Sequence, residues 1–134
     1  MLRAAGGRRR YVVLGTLSDY PGNSRSAYRR AIALALENAE RVIVVGARAS
    51  HAANFASTHP GRISGCETVH EAATLLKGEL RGGEIVLLKG SNRADHLARL
   101  ALELEGKREV RCWLTRCGLD IFCDNCALLG REAR

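Results

Sequence analysis

Short apolar runs closed by glycine recur along the chain. Tyr11-Val12-Val13-Leu14-Gly15 is the first, Val42-Ile43-Val44-Val45-Gly46 the second, and Ile85-Val86-Leu87-Leu88 before Lys89-Gly90 the third. Continuous β-branched runs of this length read as strands covered on both faces. Arg62 to Cys66 is a weaker strand of the same kind. Helical periodicity fills the gaps. From Ser24 to Ala39, the residues Tyr28, Ile32, Ala35, Leu36 and Ala39 share one face. Ser50 to Ser57 predicts a short helix that must stop before Pro60. Thr68-Val69-His70-Glu71 has the form of a capping box, and Val69, Ala72, Ala73, Leu76 and Leu80 continue it as an apolar stripe. Ala94, Leu97, Leu100, Ala101 and Leu104 make a last stripe. Strand and helix alternate throughout, which predicts an α/β fold with right-handed crossovers and a mainly parallel sheet. The composition changes after Gly106, so residues 1–106 are expected to form the α/β domain and 107–134 a separate Cys-rich tail.

In such sheets ligands bind outside the carboxyl ends of the strands. That directs attention to the loops after Gly15, Gly46 and Lys89. The loop from Gly15 to Ser24 carries a Pro-Gly turn and exceeds what a simple crossover needs. Lys89-Gly90-Ser91-Asn92-Arg93 is expected to open directly into a helix, where free backbone N–H groups, a Lys and an Arg suit an anion or carboxylate. The spacing of a Walker phosphate loop occurs nowhere in the chain.

Composition narrows the classes. The 134 residues suffice for one ordinary core. No apolar run approaches the roughly 18 residues of a membrane span. Aromatic content of 4% argues against a base-stacking platform. The net charge of +7 is uneven, since residues 1–30 carry seven Arg against one Asp. The cluster Arg8-Arg9-Arg10 reads first as a solvated arm and second as a phosphate or nucleic-acid contact. With no export signal a reducing compartment, the cytoplasm, is expected, where thiols stay free or bind metal more often than they pair.

Five Cys are present, and four of them are Cys112, Cys117, Cys123 and Cys126. Four thiolates satisfy a tetrahedral zinc ion, and Cys123-Asp124-Asn125-Cys126 has knuckle spacing. A structural zinc site is one reading; free or buried thiols, an iron–sulfur cluster and a redox pair are the others. Cys66 reads as core. His51, His59, His70 and His96 lie in different segments and read as solvated or capping residues, and Glu103/Glu105 as solvated helix surface.

From about Arg8 to Leu104 the chain resembles the C-terminal domain of the Mur ligase family. Within it, the likeness is greatest to the branch that adds D-alanyl-D-alanine to UDP-N-acetylmuramoyl-tripeptide. The strand ending in Gly15 is followed by a loop in which Leu17 and Asp19 take the places of the family's Met and Glu. The stretch Gly83-Glu84-Ile85-Val86-Leu87-Leu88-Lys89-Gly90-Ser91-Asn92 is the most specific. The family commonly carries Pro-Gly-Asp, a hydrophobic strand, then Lys-Gly-Ser followed by Arg or Asn. The resemblance implies a Rossmann-like domain that closes over a ligase active site, where ATP phosphorylates a carboxylate and an amine attacks the acyl phosphate. It implies that Lys89, Gly90, Ser91 and Asn92 face substrate and nucleotide, with Gly15, Asp19 and Arg93 beside them. It also implies peptidoglycan precursor synthesis, a UDP-muramoyl peptide substrate, and ATP and magnesium only in a complete ligase.

The sequence departs from the family pattern in places. Tyr28 stands where the family often has His, and the central ATPase domain and the Asp- and Asn-rich opening loop are not found in these residues. A partner supplying the ATPase domain, or the missing N-terminal domains, is therefore expected, and the chain alone is not expected to be active. A vacant sheet position is expected to be filled by another chain or by a tail strand near Val110 to Leu114. The resemblance says nothing of the tail. The competing function is a non-catalytic, zinc-containing module that binds nucleic acid or a protein partner.

Overall fold

A computed structural model describes residues 9–17, 22–90, 95–106, 109–115, 117 and 122–130. The glycine-closed runs are strands: β1 is Arg10–Leu14, β2 Arg41–Val45, β3 Ile63–Cys66 and β4 Ile85–Lys89. They form one sheet in the order β3-β2-β1-β4, every pair parallel, with Val12 opposite both Val42 and Leu87. The fold is Rossmann-like α/β, as the alternating pattern requires.

Side chains alternate across the strands and fill two cores. Val12, Leu14, Val42 and Val44 pack against Tyr28, Ile32 and Leu36 of α1 (Ser24–Asn38). Tyr11, Val13, Ile43 and Val45 pack against Ala72, Ala73 and Leu76 of a second helix, and Leu100 of a third. β1 and β2 are thus covered on both faces, which is why their sequences lack the alternation of a half-exposed strand. β4 is the edge strand, and Leu87 on it is exposed.

Three local outcomes differ from the sequence pattern. The predicted helix from Ser50 to Ser57 is a 3₁₀ turn, Ala49–Ala52, followed by a single α-turn, α2 (Ala53–Ala56). No side chain caps either one. In α3 (Val69–Glu79) Thr68 caps as expected, its Oγ1 accepting from the Glu71 N–H at 3.1 Å. The returning Glu71 carboxylate, however, accepts from the Glu67 N–H and not from that of Thr68. The stripe from Ala94 to Leu104 is not one helix. His96 adopts a left-handed φ of 48°, and α4 runs only over Ala98–Glu105. An L-residue with a ring side chain holds that conformation only where its surroundings impose it.

The amino end of the sheet is closed by ion pairs. The Arg10 guanidinium bonds Glu40 at 2.7 Å, and the Arg10 N–H also donates to that carboxylate. Arg41, buried at the start of β2, donates to Glu79 at 2.7 Å and to Ser64, and the Tyr11 hydroxyl donates to the same Glu79. The described tail does not extend the sheet. The Arg111 and Cys112 N–H groups turn instead to the Leu129 carbonyl, at 2.9 and 3.0 Å. No described helix is long and apolar enough to cross a membrane.

Candidate functional site at the sheet switch point

From β1 the chain steps outward to β2 and β3, then crosses back to place β4 on the other side of β1. The order therefore reverses between β1 and β4, and their carboxyl ends flank the crevice where open parallel sheets bind ligands. Gly15 and Gly90 are the residues that meet there, the Gly15 N–H donating to the Lys89 carbonyl at 2.7 Å. The space beside them belongs to Asp95. A Cβ on Gly90 would stand 2.7 Å from Asp95 Oδ2, and one on Gly15 would overlap the same carboxylate. Both glycines are thus required by a guest side chain and not by backbone conformation.

Asp95 is buried. Its carboxylate accepts from the Thr16 N–H at 2.6 Å and the Thr16 hydroxyl at 2.8 Å. The acid is a staple joining the loop after β1 to the segment after β4. Tyr28 secures the same loop from below. Its hydroxyl donates to the Gly15 carbonyl at 3.0 Å and accepts from the Leu17 N–H at 3.1 Å, while its ring stacks on His51. His51 is therefore a half-buried packing partner of Tyr28.

Lys89 lies exposed at the end of β4, beside this staple, and makes no ion pair among the described residues. Arg48, in the loop after β2, is also exposed on the carboxyl side of the sheet. The crevice thus has a floor of paired backbone and an exposed cation, Lys89, at its edge, an arrangement suited to anionic oxygens. Of the residues expected here, Gly15, Lys89 and Gly90 are brought together. Asp19, Ser91, Asn92 and Arg93 lie outside the described residues.

Against this geometry, residues 1–92 match the model of the family described as Mur ligase, glutamate ligase domain. The chain belongs to that family. The match spans β1 to β4 and includes the residues from Lys89 to Asn92, leaving the tail outside it. A comparison with curated proteins finds no match. The family assignment does not favour a nucleic-acid module. Of the cluster Arg8-Arg9-Arg10, the two described members are engaged: Arg10 pairs with Glu40, and Arg9 lies over the Tyr11 ring, 5.4 Å from its centroid.

Next to the crevice, the segment from Asp95 to Arg99 meets the tail. His96 is buried, and its Nδ1 lies 3.4 Å from Cys123 Sγ. Arg99 is buried too and donates to the carbonyls of Asp95, His96, Cys112 and Leu114. Burial holds its guanidinium below the usual arginine range, and burial pushes the Cys123 thiol up, with Arg99 opposing. Trp113 stacks on His70 of α3, which stays exposed as expected. Cys66 is buried core, its thiol pushed up by burial. Among the described residues, no three His, Cys, Asp or Glu side chains already stand as a metal-ligand shell. Thr16, Asp95 and Arg99 went unread in the sequence, and His96, expected to be solvated or capping, is buried instead. The only available signal was a pair of glycines that close strands with no turn geometry to need them.

Proposed function

We propose that this Mur ligase domain is the C-terminal domain of an ATP-dependent amide ligase of peptidoglycan precursor synthesis. It works in the cytoplasm with a central ATPase domain, on the same polypeptide or on a partner. One observation carries the reading: the family match runs through Lys89-Gly90-Ser91-Asn92, and Lys89 and Gly90 lie on the switch point against Gly15.

The residues fit the phosphate end of a nucleotide. Lys89 offers an exposed ammonium beside the exposed backbone of Gly90. ATP, when bound, supplies the activation of a carboxylate for attack by an amine. The chain's part is to hold anionic oxygens at Lys89, to keep the loop after β1 fixed through Asp95 and Tyr28, and to cover the reacting groups from water. Ser91, Asn92, Asp19 and Arg93 are assigned to the same contact by the family resemblance alone. The substrate we assign is a UDP-muramoyl tripeptide and the amine D-alanyl-D-alanine, supported by the likeness of Gly83 to Asn92 to that branch.

The test uses the chain recovered from its own cells together with whatever co-purifies. The assembly is expected to release ADP only when both the UDP-muramoyl peptide and an amine are supplied, with D-alanyl-D-alanine the best amine. Lys89→Ala is expected to lower that rate about tenfold or more, the loss of one charge-assisted contact. The chain purified to homogeneity is expected to release none. Turnover by the chain alone, or an assembly whose ADP release ignores the amine, overturns the proposal.

A further inference from the structure

The four tail cysteines surround one cavity. Cys112, Cys117, Cys123 and Cys126 line it together with His96 and Arg99, and its volume is about 20 Å³. A space of that size admits a single water-sized particle. Leu114 and Leu129 complete the wall. All four thiols are free, with no disulfide among them. The backbone around the cavity is already closed, since Arg111 and Cys112 donate to the Leu129 carbonyl and the Cys126 N–H donates to the Cys123 carbonyl at 3.1 Å.

Two further observations ask for an ion in this space. The first is electrostatic. The buried Arg99 guanidinium spends its hydrogen bonds among the described residues on main-chain carbonyls, with Asp95 contributing charge nearby. Further negative charge beside a buried cation is favourable. Four thiolates around a divalent cation carry a net charge of −2 and supply it. The second is the size of the tail's own core. Among the described residues, Val110, Cys123 and Leu129 form its buried cluster, with Leu102 and Trp113 partly buried against them. A small apolar cluster of this kind is commonly reinforced by a structural metal.

We propose that Cys112, Cys117, Cys123 and Cys126 bind one Zn²⁺ as four thiolates, with Arg99 as the buried counter-charge. Each thiol gives up its proton to solvent as its zinc–sulfur bond forms. The sulfurs turn inward to close on the ion, since they line the cavity without yet forming a shell. His96 Nδ1, beside Cys123 Sγ, is placed to donate to that thiolate. The site lies outside the family match and does not depend on the ligase reading.

The full chain, purified without chelators, is expected to carry about one zinc per chain by elemental analysis. A mercurial reagent is expected to release that zinc as the tail thiols react. Cys66→Ser should keep the metal, and the double variant Cys112→Ser/Cys126→Ser should lose it. Arg99→Leu should weaken zinc binding by about tenfold or more at unchanged stoichiometry, as loss of outer-shell support does. If the cysteine variant fails to fold, cobalt substitution of the unaltered chain still decides. Strong sulfur-to-cobalt charge-transfer absorption with tetrahedral bands supports the site. A folded chain that takes up neither metal and shows its tail thiols freely reactive or paired as disulfides overturns the proposal, as does a coloured iron–sulfur cluster.

Discussion

Gly15 shows how one residue's meaning depends on a distant one. From sequence it reads as a strand terminator, yet its φ is ordinary and the backbone there tolerates any residue. What excludes a side chain is Asp95, whose Cγ would stand 2.8 Å from the new Cβ. Asp95 has little freedom to retreat, because Thr16 holds it through two hydrogen bonds. Gly15→Ala is therefore expected to destabilise the domain by about 1–3 kcal/mol, the usual cost of overpacking a fixed site. Thermal melts of the variant and the unaltered chain test this, and an unchanged melting temperature would show that the carboxylate is free to move. Gly83 makes the contrast. Open space surrounds it, but its φ of 85° disfavours any Cβ, so alanine there costs strain and not overlap. Sequence alone makes the two glycines look alike.

At the scale of elements, the strands were the most legible part, because two-sided burial writes itself as uninterrupted Val, Ile and Leu. α1 and α3 were legible through one-sided stripes, and Thr68 marked the start of α3 through a local rule that needs no tertiary context. Thr68→Ala is expected to cost about 1 kcal/mol, read as a lowered midpoint in urea, while Thr68→Ser should nearly restore it. Equal losses in both variants would place the role of Thr68 in its methyl group and not in the cap. α4 was illegible for the opposite reason. Its apolar spacing continues smoothly from Ala94, and the interruption at His96 is imposed from outside, by a buried ring set against Cys123 and by the Arg99 bonds to the carbonyls of Asp95 and His96. The 3₁₀ turn at Ala49 likewise answers to β3, because a Cβ at Gly65 would meet the Ala49 carbonyl at 2.5 Å. Contacts between segments decide such places, and a single sequence does not display them.

Over the whole molecule, stabilising charge and ligand-facing charge occupy opposite ends of the sheet. At the carboxyl end Lys89 and Arg48 face solvent, available to an anion. At the amino end Arg10 and Arg41 are consumed by Glu40 and Glu79, so this basic chain spends cations there on its own frame. The arrangement has a consequence in acid. The bond from Arg10 lowers the Glu40 carboxyl to about 2, well below the usual carboxylate range, and that from Arg41 lowers Glu79 as well. A carboxyl depressed by folding stabilises the folded state above its unfolded value, and loses that contribution as pH falls toward its folded value. Glu40 thus contributes fully above about pH 5 and progressively less toward pH 2. Its side chain is 41% exposed, so solvent screening reduces the effect to about 1 kcal/mol. Glu40→Gln is expected to melt a few degrees lower than the unaltered chain at pH 6, by about 4 °C. The gap should narrow toward zero at pH 2.5. Comparing the two proteins at each pH cancels every other acid-sensitive group, Glu79 and the tail thiols included. A gap that stays constant across the range would mean that Glu40 acts through packing, and that the closure of the sheet's amino end is not electrostatic.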